Sequence, residues 1–257
     1  MNAGLNLFSI RTLIDTEEHF LETAKKLKEM GYSYLQFSGA EFDADRIKRV
    51  SEATGLPIVL THVPMDRILN DTAALMEDHA KFGCYNIGLG AMPSDAIADE
   101  VKCKETVEKL NRAGEEMAKN GFKFFYHHHH FEFYRHNGET VFDYIIKNAP
   151  YINFTADTYW LQFGGVNVAE TLKRLKGRIE CVHLKDYGIA SKEVDGKVKF
   201  EPTFVPVGSG SLNFKEAVAA AKEAGAKYFL VEQDNASKHE DPLGQVEMSI
   251  RYISSQL

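Results

Sequence analysis

The chain has 257 residues, 44% apolar and 26% charged, which are ordinary globular proportions and enough length to bury a sizeable core. Its 37 acidic against 30 basic residues leave a formal charge of −7, which argues against nucleic acid as a partner, since phosphate backbones are bound through Lys and Arg. No apolar run approaches the roughly 18 residues that span a bilayer, the amino terminus lacks a secretion-signal pattern, and three scattered cysteines form no CxxC, so the expectation is a cytoplasmic protein with reduced thiols and no membrane partner.

In chain order, short apolar or β-branched runs bounded by Gly, Pro or Asn predict strands at Gly4–Ile10, Tyr32–Ser38, Pro57–Val63, Tyr85–Gly90, Lys123–His129, Ile152–Tyr159, Ile179–Asp186 and Tyr228–Asp234. Between them, apolar residues recur at three-and-four spacing. Phe20, Ala24, Leu27 and Met30 form the first such face, and Gly31 supplies its stop. Further helices are predicted at Ala44–Thr54, Arg67–Phe82, Asp95–Asn120, Thr140–Asn148, Val168–Lys176, Asn213–Ala224 and Pro242–Ser255. Eight alternations at this length predict an α/β fold, a (β/α)8 TIM barrel occupying residues 1–257 as a single domain. An open doubly wound sheet is disfavoured because no G-x-G-x-x-G follows the first strand. One connection is about twice the usual length: from Asp186 to Leu212 the chain carries an Asp195-Gly196 turn signal, predicting a β-hairpin excursion after strand 7. On that face it could serve as a lid or a homo-oligomer contact, or be plain surface.

The predicted strands begin apolar and finish polar. They end in Ser9-Ile10-Arg11, Thr61-His62, the run His127-His128-His129-His130, Asp157, His183-Leu184-Lys185-Asp186 and Glu232-Gln233-Asp234. A barrel gathers these ends on one rim, and unpaired buried charge is too costly to serve packing alone. Asp157, His183 and Glu232 come from consecutive strands, and carboxylate with imidazole suits Mn²⁺ first, with Mg²⁺, Co²⁺ or Zn²⁺ as alternatives. Strand alternation puts His127 and His129 on one face and His128 on the other, so His127, His129 or the nearby Glu132 could complete the set. Trp160 and Phe131 read as a sugar-stacking platform or as packing over the mouth, whereas His19, His79, His136 and His239 read as solvent-exposed.

At these residues the chain resembles the xylose isomerase-like TIM barrel superfamily of sugar phosphate isomerases and epimerases. The branch it resembles has an opening strand like GLNLFSIRTL, a YHNHDFEF motif that stands here as YHHHHFEF (Tyr126–Phe133), and DTYW at Asp157–Trp160. HLKD stands at His183–Asp186, VGSGSLNF at Val207–Phe214 and VEQD at Val231–Asp234, so the matches run the length of the chain. The resemblance implies a divalent metal held by Asp157, His183 and Glu232, with His127 or Glu132 where related epimerases have a glutamate. It implies a small carbohydrate substrate that loses a proton beside its carbonyl, through a metal-stabilised enediolate. Glu232 would carry the proton on one face and Glu132 or His129 on the other. Lys185 would donate to the developing oxyanion, and Arg11, His62 and Trp160 would hold the substrate. Dehydratases that act on keto sugars or inososes fit the same motifs. An endonuclease IV-like nuclease fits poorly, because Trp160 replaces a required ligand and bases do not exceed acids. A sugar-binding module without catalysis would bind ligand but exchange no proton.

Overall fold

The computed structural model describes residues 1–257. Eight parallel strands close a barrel: β1 Gly4–Asn6, β2 Tyr34–Phe37, β3 Ile58–His62, β4 Asn86–Leu89, β5 Lys123–His127, β6 Ile152–Asp157, β7 Ile179–Leu184 and β8 Tyr228–Val231. Closure runs through β1, which pairs with both β2 and β8. Outside lie α1 Glu17–Met30, α2 Ala44–Thr54, α3 Thr72–Lys81, α4 Glu100–Lys119, α5 Val141–Asn148, α6 Val168–Arg174, α7 Phe214–Ala224 and α8 Pro242–Gln256.

Local chemistry sets these limits. The Thr16 hydroxyl accepts the His19 N–H to start α1, and Gly31 ends it at φ +103°, where a side chain would be strained. Phe20, Ala24 and Leu27 are the buried face, part of a 58-residue core between helices and barrel. A smaller cluster contains Leu60, Phe125, Cys181 and Leu230. Each of these precedes His62, His127, His183 or Glu232 by two positions, so alternation points it to the same barrel face. The apolar cluster is therefore the floor beneath the polar rim. All three cysteines are buried and unpaired. No helix is long and apolar enough to cross a membrane.

The hairpin after the seventh strand is present. Asp186–Val194 pairs antiparallel with Lys197–Val205 around Asp195 (φ +52°) and Gly196 (φ +69°), the left-handed pair that a tight two-residue turn demands. A second, two-residue hairpin, Arg135–His136 with Glu139–Thr140, turns at Asn137-Gly138 and went unpredicted although its N-G signal is in the sequence.

Several expectations need correction. The first strand stops at Asn6, not Ile10: the Asn6 side chain accepts the Phe8 N–H and starts a 3-10 segment over Leu7–Leu13. The strands expected to reach His129, Tyr159 and Asp234 stop at His127, Asp157 and Val231, because the rim residues leave the ladder for side-chain partners. Two long helices are each divided by an aspartate, at Asp71 and at Asp99, whose carboxylate caps α4 through the Lys102 N–H. His79 is fully buried, not exposed. Its ring sits between the Thr61 hydroxyl (2.7 Å) and the Leu75 carbonyl (2.7 Å) and stacks on Phe42.

Candidate metal centre and the cavity above it

Four adjacent strands build the centre. His127 ends β5, Asp157 ends β6, His183 lies on β7, and Glu232 follows β8 directly. One ligand atom from each lies within 4.8 Å of every other, and none of the four residues is more than 4% exposed. His127 Nε2 is 3.2 Å from Asp157 Oδ2 and 4.0 Å from Glu232 Oε2, while His183 Nδ1 is 3.6 Å and 2.5 Å from the same two oxygens.

Outer partners decide what those nitrogens present. His127 Nδ1 donates to the Gly90 carbonyl at 3.1 Å, and His183 Nε2 donates to Gln36 Oε1 at 2.7 Å. The opposite nitrogens are then lone pairs turned toward the two carboxylates. His183 Nδ1 and Glu232 Oε2 lie 2.5 Å apart, buried, and neither has another hydrogen-bond partner. Four electron-rich atoms at this spacing repel one another unless a positive charge sits among them. Titration expresses the same demand: burial lowers the His183 pKa, but Glu232 and Asp157 outweigh burial and raise it to about 9. The cluster could therefore hold a divalent metal, and two oxygens with two imidazole nitrogens fit such an ion. His128 faces away, between Phe133 and Phe142. Its Nδ1 donates to the His129 carbonyl and its Nε2 accepts the Asp157 N–H, so it fixes the backbone of a ligand.

Above the cluster is a cavity of about 350 Å³, lined by His62, His129, Lys185 and Asp234 along with Phe8 and Ser38. Lys185 Nζ lies 2.6 Å from Asp234, 3.8 Å from Asp157 and 3.9 Å from Glu232, and the rings of Trp160 and Phe204 flank it, each at 4.8 Å. Burial lowers the Lys185 pKa, but the three carboxylates outweigh burial and hold the group charged. Burial pushes the His62 and His129 imidazoles down to about 3, so both are neutral near pH 7. Asp234 was given no role from the sequence, although it stands in the polar strand end Glu232-Gln233-Asp234 and closes the VEQD motif. Another cavity of about 270 Å³, beside Cys103 and His136, belongs to the helical layer and not to the strand ends.

The remaining expected residues take other positions. Glu132 does not reach the cavity: it is fully buried, held by the Tyr126 hydroxyl and by the His129 N–H at 2.7 Å. Tyr126 precedes His127 and so faces the helical layer, and its hydroxyl also accepts the Met92 N–H. Glu132 thus latches the histidine loop from behind. Arg11 lies over the Phe8 ring and donates to the carbonyls of Phe8 and Asp234, outside the cavity lining. Trp160, held by the Asp157 cap at 3.0 Å, packs on His129, His130 and Phe204 beside Lys185.

Burial raises the Glu132 pKa from its ordinary 4.5 to about 7, against the lowering effect of its hydrogen bonds. The folded protein then holds this proton more tightly than the unfolded chain does. Its stabilising contribution is full below about pH 4.5 and disappears as pH rises to about 7. In urea unfolding, wild type is expected to lose on the order of 2 kcal/mol relative to Glu132→Gln between about pH 5 and pH 8. A constant difference across that range would place the titration elsewhere.

A profile of the xylose isomerase-like TIM barrel family matches residues 24–256. No curated protein matches the sequence. Among solved structures, a sugar phosphate isomerase/epimerase from Parabacteroides distasonis superposes with a TM-score of 0.81 at 21% identity, covering 99% of this chain and 94% of that one. The probable 3-DHS dehydratase AsbF from Bacillus anthracis gives 0.72 at 13% identity over 100% of both chains. A D-allulose 3-epimerase from Methylomonas sp. gives 0.70 at 13% identity, over 100% of this chain and 98% of that one. At these identities the superpositions speak for a shared fold.

Proposed function

The chain belongs to the xylose isomerase-like TIM barrel family, and from that premise we propose that it is a carbohydrate isomerase or epimerase that removes a proton beside a substrate carbonyl. The observation that carries this reading is the His127–Asp157–His183–Glu232 cluster at the floor of a cavity, with the Lys185 ammonium under 4 Å from two of its carboxylates. A divalent cation held there, Mn²⁺ by preference, would polarise a carbonyl and its neighbouring hydroxyl and so acidify the C–H beside them.

The chain's own groups do the rest. The Glu232 oxygen that faces Lys185 accepts the proton, and Lys185 stabilises the negative oxygen that develops on the substrate. His129 arises from β5, three strands round the ring from β8, so it faces Glu232 across the mouth. Polar groups on two sides of the substrate suit inversion of a centre. Trp160 and Phe204 shield the Lys185 side from water, Phe8 lines the cavity, and His62 offers a neutral nitrogen to a hydroxyl. The names of the solved neighbours support both an isomerase or epimerase and a dehydratase. Elimination is the second reading, favoured by the placement of Lys185 to protonate a departing hydroxyl.

Incubation of keto sugars with the Mn²⁺-loaded protein in D₂O separates the two. Deuterium at one carbon without loss of water is the expected result, and an unsaturated or deoxy product would favour elimination. Exchange that persisted unchanged after chelation would exclude both.

A further inference from the structure

We propose that two copies of this chain pair face to face through the hairpin that follows β7, a contact independent of the reaction proposed above. Cross-strand partners in an antiparallel pair point to the same side, so Tyr187, Ile189, Val198, Phe200, Pro202 and Phe204 share one face of the hairpin. At the base that face is covered, because the rings of Tyr187 and Phe204 pack on Tyr159 of the Thr158–Phe163 helix. Farther out the cover stops. Ile189, Val198 and Phe200 are 60%, 66% and 74% exposed, and Phe163, whose ring lies 6.5 Å from that of Tyr187, extends the patch at the end of the helix. The opposite face carries Lys192, Lys197 and Lys199 and belongs in water. A two-stranded ribbon that is apolar on one side and charged on the other calls for a partner on the apolar side.

The chain's own barrel does not supply that partner. Both strands are pinned at the base, where the Ser211 hydroxyl donates to the Tyr187 carbonyl at 2.9 Å and the Asn235 amide to the Phe204 carbonyl at 3.0 Å. The outer half is therefore a held arm and not a flap over the mouth. A strand added at the edge fits poorly, because Pro202 breaks the N–H row of one strand and the lysines stand along the ribbon. A second copy fits the face itself. Ser191 lies directly opposite Phe200 across the ladder, a hollow beside a ridge. A two-fold axis through the face sets the Phe200 ring of each copy against the Ser191 hollow of the other, an isologous contact that closes at two. The area agrees. At the 150–250 Å² that an aromatic side chain can bury, Phe163, Ile189, Val198 and Phe200 together expose roughly 400–500 Å². A stable dimer buries about 800 Å² on each partner, a little over half of it apolar. Phe204, on the same strand as Phe200, flanks Lys185 at 4.8 Å, so the contact begins beside a wall of the cavity.

Sedimentation equilibrium of the full chain over a range of micromolar concentrations tests this. The wild type is expected to sediment as a dimer. Phe200→Glu, which drives a carboxylate into the middle of the contact, should weaken the dimer about 100-fold or more. Its circular dichroism should match wild type, because an exposed side chain adds little to the stability of the monomer. Met248→Glu is the control, a 51% exposed apolar residue on α8, and should leave the dimer as it is. A wild type that stays a single chain, one that grows into longer polymers, or a dimer that survives Phe200→Glu or yields equally to Met248→Glu overturns the proposal. Hydrogen exchange on the wild type decides the matter if Phe200→Glu does not fold. Amides of residues 189–201 should exchange more slowly as protein concentration rises, and rates that do not change with concentration overturn the proposal as well.

Discussion

Asp157→Asn is expected to lower Mn²⁺ affinity by about 100-fold or more, since even loss of an outer partner of a metal ligand costs 10- to 100-fold. The substitution is chosen for what it spares. Asp157 Oδ1 caps the Thr158–Phe163 helix through the Trp160 N–H, and the amide oxygen of asparagine can keep that bond. What it removes is the negative charge at Oδ2, the atom 3.2 Å from His127 Nε2 and 3.6 Å from His183 Nδ1. Calorimetric titration reads the affinity. Proton exchange should fall with it and recover in part at high Mn²⁺. If the affinity is unchanged, the four residues meet for some purpose other than a metal.

Lys185→Met separates a catalytic cation from a structural one. The methionine fills the slot between Trp160 and Phe204 but brings no charge to Asp157, Glu232 and Asp234. The value of kcat is expected to fall by about 100- to 1,000-fold, the usual cost of removing one oxyanion-stabilising donor. Affinity for Mn²⁺ should hold or rise, because the ligand carboxylates lose a competing positive charge. Without metal the variant should lose about 3–5 kcal/mol of stability, as buried acids are left uncompensated, and added Mn²⁺ should restore much of it. Thermal unfolding with and without Mn²⁺ reads that difference. A variant that keeps its kcat would leave Lys185 a purely structural counter-ion.

These two residues were legible without a structure, and so was the frame that brings them together. Alternation of two-fold and 3.6-fold apolar periods is a local property, and eight repeats of it leave few ways to bury every apolar face other than a closed barrel. Closure then carries Asp157, His183 and Glu232 to one place, because neighbours in the chain order of strands are neighbours in the ring. The Asp195-Gly196 turn was legible for the same reason, since its backbone demand lies in two adjacent residues.

Residues several positions beyond a strand end were not legible, because their direction is set by whatever the departing loop meets. Glu132 follows His127 by five positions and could have reached the cavity; Tyr126 and the His129 N–H draw it to the opposite side. His79 sits on a helix with no sign that it faces Thr61 across the layer. Gln36 and Gly90, the outer partners that set the histidine tautomers, carry no motif of their own, and the HLKD motif that ends in Asp186 does not say that Gly208 and Gly210 close over it. The sequence by itself determined the barrel and the identity of the charged groups at its mouth, since periodicity and strand order are written along the chain. Only the tertiary structure decided which of those groups face the cavity, which nitrogen each imidazole presents, and which carboxylate is spent on the chain's own N–H groups. Those outcomes depend on hydrogen bonds between segments far apart in the chain, and a buried polar group takes whichever partner packing brings within about 3 Å.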